Sequence, residues 1–158
     1  MFSERGVNEP PFDDLYRELI LDHYRRPRNH GPLAAPTVQA EGVNPVCGDE
    51  IHLDLAIDDG VIADLGFWGQ GCSISQSSAS MLTERLKGRP LAEAEEVAGK
   101  VRSMLVEGAS PDPSLGDLEA LEGVAKLPVR VKCALLAWNV LLEALRQAKA
   151  AAQEEHHG

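Results

Sequence analysis

The sequence predicts an α+β fold, a small three-stranded antiparallel sheet with several helices packed on it. Two patterns carry this reading. Residues 51–57 alternate apolar and polar side chains, Asp58-Asp59-Gly60 makes a tight turn, and residues 61–68 return, which together read as a β-hairpin. Longer stretches on either side repeat their apolar residues every three or four positions, the spacing of one helix face. At 158 residues the chain suits one domain, expected over residues 13–152, with residues 1–12 and 153–158 as flexible termini.

Taken in order, the first helix begins near Asp13, carries Leu15, Leu19, Ile20 and Tyr24 on one face, and stops at Pro27. His23 and His30 flank that stop and read as solvated or hydrogen-bonded histidines. A proline-rich turn over residues 31–36 precedes a first strand at 37–43. In the second strand Ile51, Leu53, Leu55 and Ile57 share the buried face, leaving His52 and Asp54 on the other. His52 is therefore expected at the surface, although its closeness to Asp49 keeps it a candidate neighbour of a site there.

Residues 73–87 form a helix ended by Gly88 and Pro90, and residues 91–105 form another, with Glu93, Glu95 and Glu96 near its positive end. Residues 108–116, with two prolines, predict a mobile loop before a short helical piece at 117–126. The last helix starts at Pro128 and runs to about Ala151. Its apolar stretch at 134–142 reads as buried against the sheet. His156 and His157 fall in the expected polar tail rather than in a metal site.

Composition excludes several function classes. The formal charge of −10 repels a phosphate backbone, and the basic residues form no stripe beyond Arg25, Arg26 and Arg28, so a nucleic-acid partner is not expected. No apolar run approaches the roughly 20 residues that span a bilayer, so a membrane is not expected either. Arg5, Arg17 and Glu18 break up any signal-like core, which predicts a cytoplasmic protein.

The hairpin places Cys47, before its first strand, and Cys72, after its second, at the same end. The third cysteine, Cys133, lies in the first turns of the last helix. An odd number of widely spaced cysteines argues against a disulfide framework and for thiols that bind metal or do chemistry, while three buried core cysteines are the plain alternative. Three thiolates and the carboxylate of Asp49 would complete a tetrahedral zinc shell, and ferrous iron or a cluster would also suit the sulfurs. Cys72 and Cys133 each sit near the positive end of a helix dipole, which predicts lowered thiol pKa values for both. Arg130 and Lys132, beside Cys133, are placed to offset the excess negative charge.

The motifs Asn44-Pro-Val-Cys-Gly-Asp49, Gly69-Gln-Gly-Cys-Ser-Ile-Ser75 and Pro128-Val-Arg-Val-Lys-Cys133, with Asp22-His-Tyr-Arg-Arg-Pro-Arg-Asn29, resemble those of the U-type iron-sulfur cluster assembly proteins, the IscU, NifU and SufU family. The similarity is greatest to the SufU branch, since Lys132 stands where the IscU branch typically has histidine and extra residues lie around 87–110. The resemblance implies an IscU/SufU-like fold and a zinc ion held by Cys47, Asp49, Cys72 and Cys133, with Arg130 beside it. It also implies sulfurtransferase activity, in which persulfide sulfur is accepted from a SufS-type cysteine desulfurase and passed on to downstream cluster-assembly or apo-iron-sulfur proteins. By the same analogy Cys47 is the acceptor, freed when a partner side chain such as histidine displaces it from zinc, with Cys133 the second choice. The alternative it leaves open is a scaffold whose Cys47, Cys72 and Cys133 bind iron or a [2Fe-2S] cluster for transfer to apo-proteins.

Overall fold

The computed structural model describes the backbone of residues 11–157 and the side chains of residues 16–152, so the arm expected over residues 1–10 lies outside the described residues. The chain runs α1 (Pro11–Arg25), β1 (Val38–Asn44), β2 (Asp49–Asp58), β3 (Val61–Gln70), α2 (Ser73–Leu86), α3 (Leu91–Val106), a 3-10 stretch (Pro113–Lys126) and α4 (Pro128–His157). The three strands form one antiparallel meander in the order β1-β2-β3, as the alternating pattern predicts. No helix among the described residues is long and apolar enough to cross a membrane.

The sheet's inner face carries Ile51, Leu53 and Leu55 from β2 and Leu65 and Phe67 from β3, all at most 2% exposed. Helix α4 lies across the sheet, and its approach to β1 is close. A Cβ on Gly42 would come within 2.8 Å of Val140 Cγ2, so only glycine lets the strand and helix meet there. Asp54 departs from the expected solvent-facing position. It is 1% exposed, because the turn after α1 folds over that side of β2, and its carboxylate accepts the Leu33 backbone N–H and the Gln39 side-chain amide. His52 stays on the partly exposed face as expected, stacked on Trp68 with ring centroids 5.0 Å apart and flanked by Glu41 and Glu50.

Helix α2 is buried far more completely than its sequence suggests. Ser75, Gln76, Ser77, Ser78, Ser80 and Thr83 are all buried, so the helix is the central strut between α1 and α4 rather than an amphipathic surface helix. Small hydroxyls make this possible by letting neighbouring backbones approach and by finding acceptors on them. Ser77 donates to Ile20 O at 2.6 Å, Ser78 to Ala134 O at 2.7 Å, and Thr83 Oγ1 contacts both Ser80 O and Arg28 O. Trp138, 1% exposed, closes the joint by donating its indole N–H to Ser78 Oγ at 3.0 Å. Trp138→Ala therefore opens a core cavity and removes a hydrogen bond. It is expected to cost about 3–5 kcal/mol, read as a lower denaturation midpoint with an unchanged dependence on denaturant concentration.

The expected loop over 108–116 is partly ordered. Asp112 caps the following turn, its side chain accepting the Ser114 backbone N–H, and Pro113 opens the 3-10 stretch. Gly116, at φ 59°, breaks the stretch and turns the chain before Asp117. The short helical piece expected at 117–126 is wound as part of this 3-10 stretch. At the other end, α4 continues past the expected stop near Ala151 to His157, because residues 152–157 contain neither glycine nor proline.

Candidate metal centre

The two loops and the helix that carry the cysteines meet at one end of the sheet. Asn44 pairs with Asp49 as the last rung of the β1-β2 ladder, so residues 45–48 form a tight hairpin turn. The Cys47 and Gly48 N–H groups both point back to Asn44 O, at 3.2 and 2.8 Å, and Gly48 supplies the positive φ of 72°. Cys47 is half-buried at the tip of this turn. Asp49 is the first residue of β2 and only 1% exposed.

The carboxylate of Asp49 is aimed by its neighbours. Its Oδ1 accepts the Cys72 backbone N–H at 2.9 Å and lies 3.2 Å from the Ser75 hydroxyl, whose one proton it shares with Cys72 O at 3.1 Å. Its Oδ2 is buried with no hydrogen-bond partner. A buried carboxylate oxygen left bare is costly, and the usual compensation is a cation. The sequence motif announces Cys72 and Asp49, but Ser75 and the closely packed Gly71 become visible as parts of the site only once β2 and the start of α2 are seen side by side.

Cys72 is the N-cap of α2 and half-buried, while Cys133 is wholly buried in the second turn of α4. Donor atoms of Cys47, Asp49 and Cys133 all lie within 4.8 Å of one another. Cys72 is not one of that close group, but its side chain neighbours the Cys133 thiol. The lowered pKa predicted for Cys133 is not found. Its thiol donates to Val129 O at 3.8 Å, and burial first, then the neighbouring Asp49 carboxylate and the two other cysteines, and finally the charge of Cys72, push it well above the ordinary thiol value. A helix dipole is a fraction of a charge at the helix end and cannot offset complete desolvation one turn further in.

Arg130 lies one turn before Cys133, beside the thiols. Negative charge on Cys72, then hydrogen bonds with Cys133 and Cys72, hold its guanidinium above its ordinary value. Lys132 is exposed on the same helix. The donor set fits a thiophilic divalent ion. Soft sulfurs and one hard oxygen converge at a partly buried end of the sheet, one oxygen is unpaired, and an arginine stands by to balance excess thiolate charge.

A family model described as the NifU-like N terminal domain matches residues 15–154. The chain is 45% identical over 131 residues to the zinc-dependent sulfurtransferase SufU of Bacillus subtilis (strain 168), covering 82% of this chain and 88% of that protein. It is 42% identical over 135 residues to the iron-sulfur cluster assembly scaffold protein IscU of Streptococcus pyogenes serotype M1, covering 84% of each. Among solved structures, a candidate iron-sulfur cluster assembly scaffold for the SUF system from the thermophile Fervidobacterium islandicum AW-1 superposes with a TM-score of 0.77 at 35% identity, over 81% of this chain and 94% of that one.

Proposed function

Because this chain belongs to the NifU-like N-terminal domain family, the U-type iron-sulfur cluster assembly proteins, we propose that within that process it is a zinc-bound sulfur acceptor working with a cysteine desulfurase of the SufS type. The observation that carries the reading is the convergence of Cys47, Asp49 and Cys133, with Cys72 against Cys133 and one Asp49 oxygen unpaired. Cys47, Asp49, Cys72 and Cys133 would hold the ion. When bound, zinc keeps its cysteine ligands as thiolates at neutral pH. The similarity to a zinc-dependent sulfurtransferase supports the choice of metal and chemistry.

The chain's own residues supply the rest. Cys47, at the tip of a turn, is the thiol a partner can reach, and its thiolate attacks the outer sulfur of a persulfide on the desulfurase. A new S–S bond forms at Cys47, the partner's S–S bond breaks, and the partner cysteine leaves as a thiolate, following the rules of thiol-disulfide exchange. Asp49 is held in place by Cys72 N–H and Ser75, and Arg130 offsets negative charge beside Cys72 and Cys133. Exposed Val46 beside Cys47, and Leu127 and Val129 at the start of α4, give a docking protein apolar surface next to the thiols. Delivery of the sulfur to downstream cluster-assembly or apo-iron-sulfur proteins completes the role.

The 42% identity to an IscU scaffold favours one other reading, in which Cys47, Cys72 and Cys133 bind a [2Fe-2S] cluster that is assembled here and handed on. Two parallel assays separate them. The sulfurtransferase reading expects colourless zinc-loaded protein that stimulates desulfurase turnover and gains the mass of sulfur on incubation with the desulfurase and free cysteine. A stable coloured cluster formed by anaerobic reconstitution and transferred to an apo-ferredoxin, with no added sulfur on the zinc form, would replace it with the scaffold reading.

A further inference from the structure

A second group of metal-type donors lies away from the cysteines. His23 of α1, Glu84 of α2 and Asp117, just past the Gly116 break in the 3-10 stretch, place one donor atom each within 4.8 Å of one another. Glu84 is twelve residues along α2 from Cys72, about 18 Å at the helical rise, so this is not an extension of the thiol site. The two carboxylates alone would mean little, being at least partly exposed. What singles out the cluster is His23, which is 0% exposed and whose Nε2 has no hydrogen-bond partner.

The histidine is oriented by its other nitrogen. Nδ1 lies 2.7 Å from Ser80 Oγ, which already accepts the Arg28 backbone N–H at 2.9 Å. A hydroxyl oxygen has a second lone pair, and in the tautomer whose Nδ1–H donates to it the Nε2 lone pair faces Glu84. A ligating histidine is typically anchored in this way through its second ring nitrogen. Burial, ahead of the charge of Arg28, lowers the His23 pKa, which favours the neutral ring that can bind a cation.

The spacing also suits a shared ion better than a direct contact. His23 Nε2 is 3.5 Å from Glu84 Oε1, long for a hydrogen bond. Two donors each about 2.1 Å from one ion at a tetrahedral angle are about 3.4 Å apart. Arg28 lies against the other Glu84 oxygen, at 3.6 Å, and is itself engaged by Asp22 at 2.7 Å, so it leaves Oε1 free. An open cleft lined by Glu84, Leu115, Gly116 and Asp117 exposes the carboxylate side of the cluster to solvent.

We propose that His23, Glu84 and Asp117 form a second site, for a divalent transition cation that takes nitrogen and oxygen ligands, which pins α1, α2 and the 3-10 stretch together. One imidazole and two carboxylates suit zinc, ferrous iron or manganese, with water completing the shell. Manganese is the clean probe because it has little preference for thiolates.

The test uses the full chain with its thiol site loaded with zinc. Mn2+ is titrated while the resonance of the free aqua ion is followed by electron paramagnetic resonance, in wild type, Glu84→Gln and Asp117→Asn, and the His23 ring signals are followed by NMR. The expected result is one tight equivalent in wild type, weakened at least roughly 10-fold in each variant, with paramagnetic broadening at His23 but not at His52. Both substitutions are near-isosteric and at the surface, so the fold and the zinc content should be unchanged. Absence of a tight equivalent in wild type, equal binding in the variants, or sharp His23 signals at saturation would each overturn the proposal.

Discussion

Replacing Cys47 by alanine leaves a folded protein that no longer accepts sulfur, with stimulation of the desulfurase falling by roughly two orders of magnitude or more. The expectation rests on how differently the three thiols are held. Cys133 is wholly buried on α4, and its surroundings strongly favour the neutral thiol. Cys72 is tied into the start of α2, where its own N–H is committed to Asp49. Cys47 sits at a turn tip secured by two backbone hydrogen bonds to Asn44 O, and its side chain is half-buried rather than enclosed. Only that thiol can swing toward a docked partner without breaking a helix. Persulfide mass on Cys47 in wild type, its absence in Cys47→Ala, and an unchanged far-ultraviolet dichroism spectrum are the measurements. Sulfur accumulating at an undiminished rate on Cys133 in the variant would move the acceptor role there.

Much of this arrangement is legible in the sequence, and the parts that are not share a physical cause. The β2-β3 hairpin follows from strict alternation around Asp58-Asp59-Gly60, and a hairpin necessarily brings the residues before and after it to one end. Cys47 and Cys72 are therefore neighbours by topology alone. Local pattern fails where tertiary contacts decide. A serine-rich segment reads as half-exposed, yet α2 is buried because its hydroxyls find carbonyls on α1 and α4 that no local window contains. The same is true of Asp54, covered by a turn 21 residues earlier at Leu33, and of Cys133, where complete burial outweighs the dipole that a sequence can reveal. Asp49 belongs to this group too. Pairing with Asn44 converts an apparent loop residue into the end of a strand, and that rigidity makes its unpaired oxygen informative.

The rigidity of Asp49 carries the other large expected effect, which falls on a residue that offers no ligand atom. Gly71 has φ +146°, and a Cβ added there would lie 2.3 Å from Asp49 Oδ1 and 2.8 Å from Ser75 Oγ. Neither neighbour can yield easily, because Oδ1 is fixed by Cys72 N–H and Ser75 while Asp49 Cα is itself only 3.0 Å from the added carbon. Gly71→Ala must therefore rotate the carboxylate and strain the loop into Cys72, disturbing two of the four proposed ligands at once. Zinc affinity is expected to fall roughly 10–100-fold, measured by competition with a chromophoric chelator, with all three cysteines still present. Asp49→Ala supplies the comparison, since it removes the carboxylate without crowding the loop. If Gly71 acts through Asp49, the double variant should bind zinc about as weakly as the worse single one. Losses that add in full would show instead that the glycine acts on Cys72 alone.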